Sequence, residues 1–450
     1  MTEPIKFTSR QQRENIIKEA HFNLFQVAAE NVTIDLLTDS GTSAMSSEQW
    51  ASMLRADESY AGSTSWYHLK NVIENMTAMP NILPTHQGRA SERILFSLIG
   101  GKDKIIPNNN HFDTTRANIE FTGAKAVDLV VDQAYEPDQA FPFKGNLDPQ
   151  KLKSLIREVG AEHIPLCMIT ITNNSIGGQP VSLSNIKEIK DICQKHNIPL
   201  FIDAARFAEN AYFIKQREKE YAHLSVGEIV RQIFDLTDGA TISAKKDGLV
   251  NTGGLLLLRD NELAKRAINL LILTEGFTTY GGLTGRDLEA MAEGFLEAVN
   301  EDYLRYRIRS VDYLAEKLLR ANIPIVQPTG GHAVYIDAKS FCPHISPNLF
   351  PGQAIVCALY RVAGVRATEL GSVMFGKDGD DLSQKNCHQP SHKMELVRLA
   401  IPRRVYTQSH IDYVVEALIE IYKDRDKLKG LRIIEEPSIL RHFSLKFAEV

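Results

Sequence analysis

The chain has few cysteines and no long apolar run. Its five cysteines (Cys167, Cys193, Cys342, Cys357 and Cys387) are odd in number, widely spaced and without a CxxC pair. This pattern argues against a disulfide framework or a zinc site and favours reduced thiols. Because no run of about 18 apolar residues occurs, no transmembrane helix is expected.

Positive charge is not in excess, and an apolar targeting segment is missing. The formal net charge of -5 gives no basic field for nucleic acid. The N-terminal stretch MTEPIKFTSRQQRENIIKEA is polar and charged, so we expect a cytosolic protein without a membrane partner. No GxGxxG motif follows a predicted strand, which argues against nicotinamide binding.

Apolar runs alternate with amphipathic stretches between about residues 47 and 310, and this alternation predicts a mainly parallel sheet. With 450 residues the chain can form two or three domains. We expect an N-terminal segment (1–46) that joins the small domain, a large domain (47–310) and a smaller C-terminal domain (311–450). The predicted strands are 32–37, 166–172, 198–202, 239–243, 254–258 and 331–336, and predicted helices cover 10–30, 184–196 and 311–321.

Polar residues follow three of the predicted strands. Asn174 and the pair Gly177-Gly178 come after LCMITIT, and Asp203 comes after IPLFI. Lys246 directly follows the segment GATISAK. In open α/β sheets, ligands bind beyond the carboxyl ends of the strands. We therefore expect these residues to belong to one ligand site.

The residue types suit pyridoxal phosphate (PLP), an electron sink that a lysine holds covalently. A carboxylate beside the protonated ring nitrogen supports its positive charge, which is the role predicted for Asp203. The phosphate needs a hydroxyl, an arginine or backbone N–H donors. Ser243 and the run Gln87-Gly88-Arg89 can supply them. A lysine buried between two apolar strands loses solvation and becomes a usable base or nucleophile.

Six longer segments carry a resemblance to a known family. They are FIDAARFAENAYFIKQRE, SAKKDGLVNTGG, EGFTTYGGL, PTHQGR, DLLTDSGT and GGHAVYIDA. Over nearly the whole chain and in order, they resemble the β-eliminating lyases, the family of tryptophanase and tyrosine phenol-lyase. The resemblance implies an α/β fold of PLP fold type I (aspartate aminotransferase-like), with a mainly parallel sheet in the large domain. It also implies a homotetramer with active sites shared between subunits, activated by a monovalent cation such as K⁺.

The same resemblance implies a role for each matching residue. Lys246 would bind PLP covalently, Asp203 would support the pyridinium nitrogen, and Arg206 would lie beside the phenolic oxygen. The cofactor would also contact Phe112 (stacked on its ring), Asn174, Tyr280 and the phosphate-binding residues Gln87, Gly88, Arg89 and Ser243. The substrate carboxylate would bind Arg398 with Thr38, Ser40 and Asn174. Tyr60, from a neighbouring subunit, would be the general acid, and the catalytic Lys245 would lie next to Lys246. Gly41, Glu58 and Asn251 would bind the cation.

Three positions separate the two branches of the family. Tyrosine phenol-lyase has an arginine, a threonine and a phenylalanine where this chain has Leu370, Asp113 and His442, and all three choices here follow tryptophanase. Leu370 offers an apolar wall to an indole, whereas a phenol hydroxyl needs a hydrogen-bond partner. Asp113 and His442 are predicted to assist proton delivery to the indole carbon. Thr368 is more polar than the residue expected there in tryptophanase.

The resemblance therefore implies conversion of L-tryptophan and water into indole, pyruvate and ammonia. Two alternatives share the fold, namely a tyrosine phenol-lyase and a β-eliminating lyase for cysteine or S-alkylcysteine. A nucleotide-binding module, or a PLP-fold protein without catalysis, would be of a different class. The complete set of Lys246, Asp203, Arg206 and Arg398 argues against a relative that has lost its activity.

Overall fold

A computed structural model describes residues 6–376, 393–437 and 440–450 of the chain. Cys387 lies outside these residues. The other four cysteines are all free and buried. Burial raises the pKa of Cys342 and of Cys357 to about 12, so these two thiols stay protonated at neutral pH.

The helices mostly begin where a side chain can accept the first free backbone N–H groups. Ser9 and Ser225, for example, form capping boxes with Gln12 and Glu228. In chain order the helices are α1 Arg10–Glu19, α2 Ser47–Arg55, α3 Thr64–Thr77, α4 Gly88–Ile99, α5 Asp113–Phe121, α6 Pro149–Val159, α7 Leu183–Lys195, α8 Phe207–Arg217, α9 Val226–Asp235, α10 Asn261–Thr274, α11 Gly285–Ala298, α12 Glu301–Arg320, α13 Ala338–Phe341, α14 Pro351–Ala363, α15 Ser372–Phe375 and α16 Gln408–Lys423.

The strands are short, and the longest of those described have five residues. They are β1 Ile34–Asp35, β2 Asn81–Thr85, β3 Ile105–Asn108, β4 Lys125–Asp128, β5 Cys167–Thr170, β6 Leu200–Asp203, β7 Gly239–Ser243, β8 Gly254–Leu258, β9 Ala333–Asp337, β10 Val365–Arg366, β11 Thr368–Leu370, β12 Leu396–Ala400, β13 Leu431–Glu435 and β14 Lys446–Glu449.

The chain divides into two compact units. The large unit consists of Ser40–Ala134 and Phe141–Ile308, and the small unit of Met1–Asp39, Tyr135–Ala140 and Arg309–Val450. The large unit contains a five-stranded sheet in the order β2-β8-β7-β6-β5. In it β5, β6 and β7 are parallel, and β8 runs antiparallel to both of its neighbours.

Both faces of this sheet are covered. Along β5, Cys167 and Ile169 belong to one hydrophobic cluster, whereas Met168 belongs to another. Alternating residues of β8 divide in the same way, with Leu255 and Leu256 in different clusters. Because successive side chains of a strand point to opposite faces, a strand buried on both faces is apolar throughout. This explains the continuous run GLLLL in β8.

The small unit contains a three-stranded antiparallel sheet in the order β11-β12-β9. The parallel pair β1-β10 and the hairpin β13-β14 complete its strands. Helices α14 and α16 pack together, and α1 packs against α14. The hydrophobic core of this unit joins residues near both ends of the chain, such as Ile17 and Phe447.

Most predicted elements are present with slightly different bounds. The exception is the helix predicted over 10–30, because α1 ends at Glu19 and is followed by His21 and Phe22 with φ of 49° and 56°. Such left-handed backbone cannot continue a right-handed helix. Within the described ranges, no helix combines the length and apolar character needed to cross a membrane.

Candidate functional site

The predicted polar residues follow the parallel strands β5, β6 and β7 at one edge of the large unit's sheet. Asp203 ends β6 and lies in register with Thr170 of β5 and Thr241 of β7. Asn174 follows β5 and is buried. Lys246 follows β7 and is close enough to Asp203 for its charge to act on that carboxylate. The sheet thus brings the three predicted positions to a common edge.

Lys246 and Asp203 are half-buried and lie among charged groups. The Lys246 Nζ donates a hydrogen bond to Ser243 Oγ at 2.9 Å. Burial raises the pKa of Asp203, although the charges of Lys246 and Arg206 act in the opposite direction. Arg206 is itself only 4% exposed and immediately precedes α8. The three residues therefore form a compact charged group at the end of β6 and β7.

Asp247 fixes the segment that carries Lys246, and sequence reasoning did not identify it. Its Oδ2 accepts hydrogen bonds from the backbone N–H groups of Ala208 and Glu209, at 2.8 and 3.1 Å. Its own N–H donates to the carbonyl of Ala205. Asp247 thereby ties the Lys246 segment to the start of α8. An aspartate directly after the lysine pair was the only available signal.

The N-terminus of α4 forms a cradle against β7. Gln87 occupies the N-cap position without a side-chain cap, so its side chain does not bond the first backbone N–H groups of the helix. A Cβ atom on Gly88 would come within 2.7 Å of Ser243 Cβ. The Lys245 Nζ donates to Gln87 Oε1 at 3.2 Å. Burial, and then the charge of the exposed Arg89, lower the pKa of Lys245.

These features fit a PLP molecule. An uncapped helix N-terminus attracts a phosphate, and the Ser243 hydroxyl lies directly beside it. Buried polar atoms without a hydrogen-bond partner among the described residues occur on the neighbouring segments, at His111 Nε2, Thr172 Oγ1 and Asn173 Oδ1. Buried polar atoms are normally paired. The large unit therefore has both a phosphate cradle and buried polar atoms that could bond to a bound group.

Gly88→Ala is expected to weaken PLP binding strongly while the protein still folds. The added methyl group would meet Ser243 and push the α4 N-terminus away from β7. The affinity of the apoenzyme for PLP, followed by the visible absorption of the cofactor, measures the effect.

Gly227→Ala is the matched control, because nothing lies within 4 Å of a Cβ atom at that helical position. Replacing glycine by alanine inside a helix stabilises by up to about 1 kcal/mol. Equal PLP affinity in both variants would contradict the assignment of Gly88 to the phosphate cradle.

Phe112 and Asp113 lie at the start of α5, next to a buried carboxyl that the sequence did not reveal. Glu92, on α4, accepts a hydrogen bond from Thr115 Oγ1 at 2.6 Å. Burial, and then the negative charge of Asp203, raise the pKa of Glu92 to about 7 despite the hydrogen bond from Thr115. Asp113 is 7% exposed and adds to this effect. Glu92 links the helix of the phosphate cradle to the helix that begins with Asp113.

Tyr60 and Tyr280 form an aromatic cluster on the large unit together with Phe277. The ring of Tyr60 stacks on Phe277 and meets Tyr280 edge to face, in both cases at 5.5 Å between ring centroids. Tyr60 is 72% exposed. Its hydrogen bond to Tyr280 raises the pKa of the Tyr60 hydroxyl. The structure therefore brings these two predicted residues together at the surface of a single chain.

Two of the three predicted cation ligands adjoin each other. Asn251 Nδ2 donates to the carbonyl oxygens of Gly41 and Ser43, at 2.9 and 3.2 Å. Glu58 instead accepts the backbone N–H of Gly285 and pairs with Arg286. Within the described residues, no group of three or more His, Cys, Asp or Glu has the arrangement of a metal site.

Arg398 lies in the middle of the small unit's sheet. It belongs to β12, where it pairs with Thr368 of β11 and Tyr335 of β9. Its Nη2 donates to the carbonyl of Leu37 at 2.9 Å, and the side chain is buried. The predicted carboxylate-binding arginine is thus joined to the segment that contains Thr38.

A buried ion pair fixes the other end of that segment. Arg403 Nη1 lies 2.9 Å from Asp39 Oδ2, and these side chains are 0% and 1% exposed. Thr38 therefore lies between Leu37, which is hydrogen-bonded to Arg398, and Asp39, which is paired with Arg403. Ser40 belongs to the large unit. The sequence pointed to Arg398 alone and did not identify Arg403 as its structural companion.

Leu370 and His442 are both buried in the small unit. Leu370 is fully buried in a cluster with Tyr335 and Leu396. The ring of His442 packs edge to face on Phe25, with 5.6 Å between centroids. His442 and Thr368 line the same cavity of about 10 Å³, which has room for about one water molecule. The polar Thr368 therefore adjoins the predicted proton donor.

Comparison with solved structures defines the class of protein. A serine palmitoyltransferase from Sphingomonas wittichii has a TM-score of 0.60 with 10% sequence identity, over 93% of this chain and 97% of that one. At this identity the similarity shows the fold alone. The fold is fold type I of the PLP-dependent enzymes, as predicted from the sequence.

Comparison of sequences then defines the family. The profile of the β-eliminating lyases matches residues 35–417. A tryptophanase from Salinibacter ruber is 55% identical over 442 residues, which cover 98% of this chain and 92% of the relative. A tyrosine phenol-lyase from Pasteurella multocida is 46% identical over 445 residues, which cover 99% and 96%. The chain belongs to the β-eliminating lyase family, and the predicted family membership is confirmed.

Proposed function

We propose that this enzyme cleaves L-tryptophan, with water, into indole, pyruvate and ammonia. The observation that carries the proposal is the combination of Leu370, Asp113 and His442 in a chain that is 55% identical to a tryptophanase. The lower identity of 46% to a tyrosine phenol-lyase agrees with this choice. A lyase for cysteine or S-alkylcysteine remains the second alternative, because the groups that act at Cα would be the same.

PLP would supply the electron sink that makes the substrate Cα acidic. Lys246 would hold the cofactor and would move the proton of the substrate Cα. Asp203 would support the positive charge of the cofactor's ring nitrogen, and Arg206 and Phe112 would contact the cofactor. Gln87, Gly88, Arg89 and Ser243 would hold its phosphate, and the absence of a side-chain cap at the start of α4 supports this assignment.

Arg398 grips the substrate carboxylate, since its planar guanidinium can donate two parallel hydrogen bonds. Thr38, Ser40 and Asn174 assist it. The buried pair of Arg403 and Asp39 supports this assignment, because it keeps the segment around Thr38 in one conformation. All amino-acid substrates share this carboxylate, so the group contributes to binding and orientation whatever the side chain.

The residues proposed to act on the leaving group differ from those that bind the carboxylate. Leu370 provides an apolar wall for indole, and Asp113 and His442 assist protonation of its ring. Tyr60 would be a general acid, Lys245 a further catalytic residue next to Lys246, and Tyr280 a cofactor contact. Such proton transfer from a positioned side chain typically contributes about 10²–10⁴-fold to a rate.

We further propose a homotetramer in which Tyr60 and Tyr280 complete the site of a neighbouring subunit. The exposure of Tyr60 in a single chain supports this proposal, together with the exposed apolar side chains of Leu54 and Leu273, at 88% and 81%. Exposed apolar groups in such number favour an interface. The expectation of a cytosolic location stays a prediction.

Borohydride reduction of the holoenzyme, followed by peptide mapping, is expected to label Lys246. The reason is its position at the end of β7 beside Asp203 and Ser243. Lys245→Ala is the matched control and should retain the label. A label confined to Lys245, or no label, would refute the assignment.

Potassium or ammonium ions are expected to raise activity well above the level in sodium. Carbonyl and carboxylate oxygens at Gly41, Glu58 and Asn251 would form the site, and Asn251 already contacts Gly41. Rates in matched chloride buffers measure the effect. Equal rates in sodium and potassium would rule out this cation site.

The decisive experiment compares two substrates in one enzyme preparation. Asp113→Ala or His442→Phe is expected to slow cleavage of tryptophan by about 10²–10⁴-fold, the usual value of one positioned acid. Elimination from an S-alkylcysteine is expected to continue almost unchanged, because a thiolate leaves without ring protonation. Steady-state rates on both substrates measure the difference.

The paired design separates a catalytic role from a structural one. Lost PLP or misfolding would reduce both rates equally, and an equal loss would contradict a specific role at the indole ring. Arg398→Ala is the contrasting variant, since it should weaken every amino-acid substrate together. High activity on tyrosine with none on tryptophan would overturn the proposed substrate.

A further inference from the structure

Two buried carboxyls of the small unit lie against the same glycine. Glu369 belongs to β11, Glu395 directly precedes β12, and they are 2% and 0% exposed. A Cβ atom on Gly371 would lie 2.6 Å from Glu369 Oε1 and 2.7 Å from Glu395 Oε2. The two oxygens are therefore no farther apart than the sum of these distances. Two like charges so close together in a protein interior would repel each other strongly.

Their hydrogen bonds leave one carboxyl oxygen without a donor. Glu395 Oε1 accepts both the backbone N–H and the hydroxyl of Ser372. Glu369 Oε1 and Oε2 accept the N–H groups of Val373 and Met374, at 3.1 and 3.2 Å. Among the residues that the structure describes, Glu395 Oε2 has no hydrogen-bond partner although it is buried. It is the oxygen that lies beside Gly371 together with Glu369 Oε1.

We propose that Glu369 and Glu395 share one proton and act as positioning residues for the substrate pocket. The shared proton joins β11 to the start of β12. The same two strands carry Leu370 and Arg398, each paired with a residue of the other strand. Its loss places two negative charges beside the buried cluster around Leu370. The link to substrate depends on the proposed function, whereas the shared proton does not.

The electrostatic surroundings agree with a neutral or singly charged pair. Burial, and then the charge of Glu395, raise the pKa of Glu369 well above its usual range. Burial raises the pKa of Glu395 to about 7 against the hydrogen bonds from Ser372. The other charged or titratable groups that face the pair are Arg441 with its partner Glu436, Lys339 and Asp337, and His442, which lines a cavity shared with Glu369.

The pH dependence has a definite sign. The folded protein binds this proton more tightly than the unfolded chain, in which a glutamate titrates at about 4.5. Stability from the pair is therefore complete at low pH and is lost as pH rises from about 4.5 through about 7. Each further pH unit reduces the protonated fraction about tenfold.

Glu395→Gln tests the proposal in the holoenzyme. The amide keeps an oxygen for Ser372 and presents a permanent N–H toward Glu369, so it mimics the protonated pair. Thermal unfolding between pH 5 and 9, and the KM for tryptophan over the same range, are the two measurements. Glu416→Gln, on the exposed side of α16, is the matched control.

Toward pH 9, the unfolding temperature is expected to fall and the KM to rise more in the wild type and Glu416→Gln than in Glu395→Gln, which lacks the contribution of the pair. Parallel profiles of all three proteins would overturn the shared proton. A flattened unfolding profile with an unchanged KM profile would overturn the positioning role. If Glu395→Gln fails to fold, Glu369→Gln gives the same test, since it also removes the second charge.

Failure of the proposed function has a separate signature. Wild-type enzyme without activity on tryptophan would contradict the assigned substrate, and an S-alkylcysteine would then replace tryptophan in the KM measurement. The unfolding comparison needs no substrate and decides the shared proton in either case.

Discussion

The parallel alignment of β5, β6 and β7 is the constraint on which the cofactor site depends. Because the three strands run in one direction, the residues that follow them meet at one edge of the sheet. Asp203, Lys246 and Asn174 come from distant parts of the chain and share no local motif. The charges of Asp203 and Lys246 then need specific partners. Arg206 lies near Asp203, and Ser243, which packs against the start of α4, accepts a hydrogen bond from Lys246.

The features that could be predicted from the sequence are those with a local signature. The run GLLLL located β8 at its observed bounds, because both faces of the sheet are buried, and the segment GATIS located β7 as accurately. Polar residues at strand ends predicted Asp203 and Lys246, and long matching segments identified the family. The individual roles of the site residues stay predictions until they are measured.

Other parts of the site have no local signature. Glu92 has the sequence context of an ordinary helical glutamate, and only the fold reveals Thr115 and Asp203 around it. Arg403 follows Arg398 closely, but its partner Asp39 is 364 residues away. Glu369 and Glu395 are joined only by the pairing of β11 with β12. In each case the chemistry depends on a distant partner that no spacing rule specifies.

The discontinuity of the small unit has a consequence for the order of folding during synthesis. Its first segment, Met1–Asp39, is made long before Arg309–Val450, which contains most of the same unit. The strand β1 has only two residues, and its partner β10 begins at Val365. Ile17 and Leu36 of the N-terminal segment therefore lack most of their core partners while the large unit is being translated. Contacts of such long sequence separation form late, so β1 can gain its strand partner only after Val365 has been synthesised.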